Sequence, residues 1–392
     1  MIVPFSRPYI TGKELDNIKN LINNIGNGWV ISGDGEYTRR VSKFIEKKFG
    51  VKKCLMTTSC TGALEMATRL LDLRYEDEII CPSFTFVSTV NPILMCGGKI
   101  VFADIREDNG LNIDPNDIRR KITDRTKAIY IVHYAGVACE MDEIMDIAKD
   151  NGIKIIEDAA HGVNAKYISR KGKSNNKYLG TMGDFGCYSF HDTKNYVCGE
   201  GGALLINTDD KSVWERAEII REKGTDRSKF FRGEVNKYSW VDIGSSYLPS
   251  DILMAFLYGQ FENGKLEEIS EKRMKIYDRY NNVLEHHNSK ISLPVVPDYA
   301  DHNAHLYYIL FDNETNRDDV MRKLKEKGIH ATFHYLPLHT SLMGQKFGYK
   351  DGDLKTTESV SNRLLRLPIY AGMTDKELEY VCNTLNSILT KI

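Results

Sequence analysis

The chain has 392 residues, 42% of them hydrophobic and 10% aromatic, and its 53 Lys and Arg nearly balance 54 Asp and Glu for a formal charge of −1. That composition can bury a large core and excludes global disorder. The even charge balance argues against a nucleic-acid binder, while a small anionic ligand can still find a local basic cluster. The cysteines at 54, 60, 81, 96, 139, 187, 198 and 382 include no Cys-x-x-Cys pair. A zinc ribbon or thioredoxin-type centre is therefore not expected, and reduced, buried thiols in a cytoplasmic protein are. The first residues lack a basic stretch followed by an apolar one, and no apolar run reaches the ~18–20 residues that span a bilayer, so no membrane partner is expected.

Residues 1–25 are expected to form an arm and a helix packed elsewhere on the molecule. From about residue 50 to 255, short apolar runs alternate with amphipathic stretches. Runs at 54–57, 78–81, 99–103, 128–132 and 154–157 predict strands, and 62–73, 85–95 and 141–150 predict helices between them. Short runs without polar alternation suit strands buried on both faces, and the repetition of strand, helix, strand argues for an α/β domain with a largely parallel sheet. The character changes near Asp251. A helical pattern runs from 252 to about 284 with no strand between its halves. An extended segment at 303–311, a helix at 317–327, an extended 330–334 and a closing helix at 375–389 follow. The expected organisation is a large domain over residues 1–255, including the N-terminal arm, and a smaller α+β domain over residues 256–392.

Three segments carry chemistry. The apolar run ending in Glu157-Asp158-Ala159-Ala160-His161-Gly162 puts Asp158 beyond the carboxyl end of a strand, where ligands of open α/β sheets lie; a plain acidic loop would read the same. The run at 185–190 breaks into a polar turn holding Lys194, with Gly199, Gly201 and Gly202 before the apolar 203–206. A lysine in a Gly-rich turn can approach a bound ring closely. Thr57-Thr58-Ser59-Cys60-Thr61-Gly62 ends a strand and opens a helix, which suits a phosphate site or plain N-capping by Ser59 or Thr61. Taken together, a lysine, a carboxylate and a phosphate cradle meet the needs of a pyridoxal 5'-phosphate enzyme: an amine for its aldehyde, an anion to keep its ring nitrogen protonated, and donors for its phosphate. Opposite charges ~4 Å apart at an effective dielectric of ~20 attract by roughly 4 kcal/mol, or about 3 pK units, enough to hold that ring protonated at neutral pH.

Pro82-Ser83-Phe84-Thr85-Phe86, Glu157-Asp158-Ala159-Ala160, Tyr188-Ser189-Phe190-His191 with Thr193-Lys194-Asn195, and the glycines of 199–202 occur in that order. In this the chain resembles the DegT/DnrJ/StrS sugar aminotransferases over nearly its whole length. The resemblance implies the aspartate aminotransferase-like type I fold: a large domain with a mostly parallel seven-stranded sheet and a smaller α+β C-terminal domain. It implies pyridoxal 5'-phosphate as cofactor and a homodimer with shared active sites. It also implies residue roles. Lys194 is the Schiff-base lysine and proton shuttle, and Asp158 pairs with the ring nitrogen. Phe86 takes the aromatic position that stacks on the ring, with core packing as the alternative. His161 falls near the ring hydroxyl. Ser59, Cys60 and Thr61 match the phosphate turn, Cys60 through its backbone N–H, with Ser189 as their partner. Many family members read Gly-x-Asn-x-Arg, whose Asn reaches across the dimer to the phosphate. Here Gly244-Ser245-Ser246-Tyr247-Leu248 puts Ser246 at the Asn position, so that contact is shorter or absent.

Further segments, at 132–142, 221–225, 230–233 and 242–248, narrow the resemblance to the branch of the family that makes dTDP-4-amino-4,6-dideoxygalactose for enterobacterial common antigen or lipopolysaccharide. The implied reaction moves an amino group from L-glutamate to the 4-keto carbon of a nucleotide-linked 4-keto-6-deoxy sugar such as dTDP-4-dehydro-6-deoxy-D-glucose. A diphosphate calls for basic groups. Arg232, flanked by Phe230, Phe231 and Tyr238, is the candidate contact, against the reading of a solvated charged loop. His334 and Tyr335 resemble a segment at the mouth of the site, and a packed domain junction explains them equally well. Amination at carbon 3 and a sugar dehydratase of the same family are rivals; the dehydratases replace the Schiff-base lysine by histidine, which Lys194 opposes. A non-enzymatic or NAD-binding α/β protein is more distant, because no Gly-x-Gly-x-x-Gly follows an early strand. No cluster suggests a metal.

Overall fold

In the computed structural model, which describes residues 1–172 and 176–391, the apolar runs form strands. In chain order these are β1 Lys53–Thr57, β2 Glu78–Pro82, β3 Lys99–Ala103, β4 Thr126–Val132 and β5 Lys154–Asp158. The two-residue strands β6 Lys166–Tyr167 and β7 Lys177–Tyr178 follow, then β8 Phe185–Ser189 and β9 Gly202–Ile206. Seven of them make one sheet in the order β1-β9-β8-β5-β4-β2-β3. β9 is antiparallel to both neighbours, and the other adjacent pairs are parallel. Every residue of β2, β8 and β9 is buried. That two-sided burial is why their sequences show no polar alternation. Along β4, Ile129 and Ile131 enter the core on one face of the sheet while Ala128 and Tyr130 enter the core on the other.

The C-terminal part carries β10 Ile291–Ser292, β11 Ala300–Asp301, β12 Tyr307–Phe311 and β13 Leu364–Leu367. β10, β12 and β13 form an antiparallel sheet. It packs with the helices Glu314–Glu326 and Asp375–Thr390 around a core of its own, including Tyr280, Tyr307, Ile309, Val320, Leu365 and Val381. The N-terminal arm ties the two parts together. Val3 pairs with Ile329 in this second core, and the helix Glu14–Asn23 lies against the helix Asp251–Phe261.

Three elements differ from the sequence reading. The long helical pattern breaks into Asp251–Phe261 and Lys265–Leu284, because Asn263 and Gly264 take left-handed φ angles of 57° and 77°. Its first half packs in the sheet's core through Met254, Ala255, Leu257 and Phe261, which Leu266 and Ile269 also join. Its second half reaches the C-terminal core through Ile276, Tyr277 and Tyr280. The segment predicted as a helix over 85–95 is a single turn at Val87–Thr89 and a short helix Asn91–Met95 with Pro92 in its first turn, where a missing N–H costs nothing. The extended 330–334 makes one bridge, Thr332 to Arg366, rather than a strand.

Two local devices place the site. Ser59 accepts the N–H of Gly62 at 3.1 Å and so starts the helix at Cys60–Arg69, two residues earlier than its apolar periodicity. Gly202, the first residue of β9, sits against that start: a Cβ there would fall 2.3 Å from Ser59 C and 2.4 Å from Cys60 N. Gly202→Ala is expected to destabilise the protein by about 1–3 kcal/mol, the usual cost of overpacking against backbone. The measurement is the midpoint of denaturant unfolding, and an unchanged midpoint would show that the turn yields.

Candidate active site

β1, β5 and β8 point their carboxyl ends toward the same edge of the sheet. A cavity of about 510 Å³ lies there, closed on its other side by His305, His334, Tyr335 and Arg366 from the C-terminal part. Ser59, Cys60, Thr61, Phe86, Asp158, His161, Ser189, Lys194, His334 and Tyr335 all line it. Ten residues scattered over the sequence thus meet in one place.

Asp158 ends β5 and is buried. Its Oδ2 accepts the Thr89 hydroxyl at 2.7 Å, and its Oδ1 accepts the Ala160 N–H at 3.1 Å. Burial pushes its carboxyl above the usual range, and those two hydrogen bonds and the Lys194 charge pull it back. Lys194 sits in the turn after β8, its N–H donating to His191 O at 2.9 Å. Burial, with Arg366 adding to it, pushes its amine below the ordinary lysine value, while Cys60 and Asp158 act the other way. Among the described residues no carboxylate lies within 4 Å of its ammonium. A half-buried lysine and a buried carboxylate thus share a cavity without closing on each other.

The phosphate-type turn has the donors its sequence suggests. The N–H groups of Cys60 and Thr61 open a helix and have no intrahelical acceptor. The Thr61 hydroxyl donates to Ser88 Oγ at 2.8 Å, and Ser189 borders the same side of the cavity. Phe86 is 57% exposed, so it is not a core residue. The His161 Nδ1 accepts the Ala135 N–H at 3.3 Å, and burial holds its pKa well below the usual value. The neutral ring therefore carries its proton on Nε2. These features fit pyridoxal 5'-phosphate: an amine, a carboxylate, an aromatic face, a hydrogen-bond donor and a phosphate cradle around one space.

Two expected site residues lie elsewhere within the chain. Arg232 lines a separate hollow of about 740 Å³ with Trp29, Asp34 and Arg221, and pairs with Glu218 and Glu234 at 2.7 Å each. Ser246 is exposed and bridges to Glu222. Conversely, the sequence reading missed Thr89, His305 and Arg366. Thr89 lies four residues after Thr85, and their hydroxyls are 2.7 Å apart; that polar pair within an apolar stretch was the one available signal. His305 stacks on His161 with ring centroids 4.2 Å apart, and its Nδ1 donates to Asn195 Oδ1 at 2.9 Å. A polar chain anchors the loop that carries His334 and Tyr335: Ser83 Oγ to His339 Nδ1 at 2.7 Å, then His339 Nε2 to Glu358 Oε1 at 2.9 Å.

Comparison with known proteins agrees with this geometry. Residues 11–386 match the DegT/DnrJ/EryC1/StrS aminotransferase family. The chain belongs to that family. It is 34% identical to an uncharacterized protein of Methanocaldococcus jannaschii, covering 99% of this chain and 98% of that one. It is 32% identical to the spore coat polysaccharide biosynthesis protein SpsC of Bacillus subtilis, covering 99% and 97%. Spr1654 of Streptococcus pneumoniae, solved in its PLP form, superposes with a TM-score of 0.87 at 22% identity, covering 100% of this chain and 99% of that one. The fold is the type I aminotransferase fold, and this chain is an aminotransferase of that family.

The direction of the Lys194 shift gives a test on the apo protein. Fixing pyridoxal 5'-phosphate to Lys194 with borohydride needs the neutral amine, so labelling is expected to rise with pH around a midpoint below 10.5. A midpoint at or above that value, read by mass spectrometry of the labelled peptide, would contradict the burial described.

Proposed function

We propose that this aminotransferase moves the amino group of L-glutamate to the 4-keto carbon of a nucleotide-linked 4-keto-6-deoxy sugar. The substrate is dTDP-4-dehydro-6-deoxy-D-glucose and the product dTDP-4-amino-4,6-dideoxy-D-galactose. The observation that carries the transamination is the half-buried Lys194, without a carboxylate partner, lining one cavity with Asp158. The choice of sugar rests on the resemblance of 132–142, 221–225, 230–233 and 242–248 to the branch that makes this product. The reading puts the enzyme in the cytoplasm, in lipopolysaccharide or enterobacterial common antigen synthesis. No helix among the described residues is long and apolar enough to cross a membrane.

When bound, the cofactor supplies an aldehyde for the amine and a protonated ring that draws electrons from the reacting carbon. The protein's share is binding, orientation and proton movement. Asp158, fixed by Thr89 and Ala160, faces the ring nitrogen and favours its proton. Phe86 offers its face to the ring. His161 donates from Nε2 to the ring hydroxyl oxygen. Ser59, Cys60 N–H, Thr61 and Ser189 hold the phosphate. Lys194 Nζ, neutral more often than a surface lysine, takes the proton from the donor's α-carbon and returns one to the sugar's carbon 4. His334 and Tyr335 form the wall against which the sugar lies.

We also propose a homodimer. Ser246 and Arg232 stand apart from the cavity of their own chain, on a stretch where Trp240 is 78% and Ile243 64% exposed. A second copy covering this stretch would bring Ser246 toward the partner's phosphate turn and Arg232 toward its nucleotide. The reading divides the chain into a cofactor-binding domain over 1–255 and a C-terminal domain over 256–392, although Leu257, Phe261, Leu266 and Ile269 pack back into the sheet's core.

Incubation with L-glutamate and dTDP-4-dehydro-6-deoxy-D-glucose is expected to give an amine at carbon 4 with galacto stereochemistry, assigned by NMR. An amine at carbon 3 would move the reading to the 3-keto branch, a deoxygenated product would make the enzyme a dehydratase, and no transfer from glutamate would refute the reading. Lys194→Ala is expected to lower turnover by ~10³ or more, and Asp158→Asn by ~10² or more, with folding intact by circular dichroism.

A further inference from the structure

We infer that His305 recognises the sugar substrate by accepting a hydrogen bond from its carbon-3 hydroxyl. This rests on the 4-keto transamination reading above and names a sugar contact which that reading leaves open. His305 stands two residues before β12 and lines the cavity of Lys194. It is 4% exposed, so each polar atom of its ring calls for a partner.

One ring nitrogen has its partner and the other has none. Asn195 Nδ2 donates to Asn303 O at 3.0 Å, which leaves Asn195 Oδ1 to accept. His305 Nδ1 lies 2.9 Å from that oxygen and therefore carries the ring proton. Burial, helped by the neighbouring His161 and the charges of Lys194 and Arg273, holds its pKa well below the usual value, so the ring is neutral. Nε2 is then a bare lone pair. It makes no hydrogen bond to any described residue, and it is not among the unpartnered side-chain atoms that are sealed from solvent. The lone pair thus opens on the cavity.

The ring cannot turn to satisfy it. His161 stacks on it with ring centroids 4.2 Å and planes 28° apart. The His305 N–H donates to Asn303 Oδ1 at 3.1 Å, and its carbonyl accepts Arg273 Nη2 at 2.7 Å. Ala304 before it takes a left-handed φ of 50°, with its carbonyl on Arg273 Nε at 3.1 Å. The acceptor is in place before a ligand arrives, so binding carries no cost of ordering it.

A lone pair with no hydrogen of its own selects its ligand. It repels the oxygens of a carboxylate or a diphosphate, which have no hydrogen to give. The amino donor's one hydrogen-bearing polar group is its amine, which the transfer consumes. In the proposed chemistry the cofactor's ring hydroxyl is taken by His161. A sugar hydroxyl remains. His305 is near enough to Lys194 for the lysine charge to act on its ring, and its anchor, Asn195, is the next residue in the chain. The hydroxyl it meets is therefore one beside the reacting carbon. Of the carbons bonded to carbon 4, carbon 3 carries a hydroxyl and carbon 5 does not.

The test uses holoenzyme and ligands that have no keto group and so cannot react, each measured by isothermal titration calorimetry. They are dTDP-6-deoxy-D-galactose, the same compound lacking its carbon-3 hydroxyl, and the same compound lacking its carbon-2 hydroxyl. The parent enzyme is expected to bind the first at least about tenfold more tightly than the 3-deoxy compound, which leaves a buried lone pair unpaired. In His305→Leu the two affinities are expected to agree within about twofold, since no acceptor is left to tell them apart. His305→Gln keeps one acceptor oxygen; its ratio should fall between, and it serves in place of the leucine variant should that one fail to fold. An unchanged ratio in a folded variant, which is what general damage to the site would give, overturns the inference. Equal affinities in the parent, or no binding of either compound, overturn it without any variant, as does a preference that follows the carbon-2 hydroxyl instead. The transaminase reading fails separately, as a holoenzyme that shows the preference but never aminates dTDP-4-dehydro-6-deoxy-D-glucose from L-glutamate.

Discussion

A buried ammonium and a buried carboxylate attract strongly in a medium of low dielectric, and left free they would pair. In this enzyme Lys194 and Asp158 face one cavity and do not. Each is committed locally. Asp158 is the last residue of β5 and its two oxygens are taken by Thr89 and Ala160. Lys194 rides on a turn closed by its own backbone bond to His191. The sheet sets the distance between them, since β5 and β8 are adjacent and parallel, with Asp158 opposite Cys187. The space that remains is what a planar, charged cofactor can fill. The same separation keeps the amine short of counter-charge, so it sheds its proton more readily than a surface lysine.

The sheet was legible in the sequence because its strands are covered on both faces and read as uninterrupted apolar runs. Thr57 and Asp158 were legible for the same reason: each stands where such a run ends, and the chain's chemistry changes abruptly after it. Helix limits were less so. Ser59 moves one helix start, and Asn263 with Gly264 splits a pattern whose hydrophobic period continues across the break. Helix Glu36–Phe49 gave little sign of itself. Its first N–H groups are capped by Asp251, more than two hundred residues away, where Tyr37 and Thr38 donate at 3.0 and 2.6 Å.

The opposite wall of the cavity could not be read from local pattern. Arg366 lies in a strand whose neighbours look like ordinary core, and His305 precedes another. Their relevance depends on the C-terminal sheet being set over the carboxyl edge of the large one. His305 is tied there by Asn195, the residue after Lys194, and Asn195 in turn donates to Asn303 O at 3.0 Å. Arg273, buried in the helix Lys265–Leu284, adds bonds to Ala304 O and His305 O at 3.1 and 2.7 Å. These are contacts between segments more than thirty residues apart, and no window along the chain contains both ends of any of them.

The anchoring of the loop through Ser83, His339 and Glu358 has a mechanical meaning. Asp104 secures the helix that holds Glu358, by accepting the N–H groups of Thr356 and Thr357 at 3.0 and 2.8 Å. His334 and Tyr335 are thereby bolted to the floor of the active site, although they come from the C-terminal half. Arg366, on the edge strand β13 of the antiparallel sheet, is tied to this same loop by its bonds to Phe333 O and the bridge to Thr332, so the arginine is held with the rim. The far wall, its arginine and the floor are thus joined into one piece, and the mouth of the cavity is set by fixed contacts at both ends of the loop.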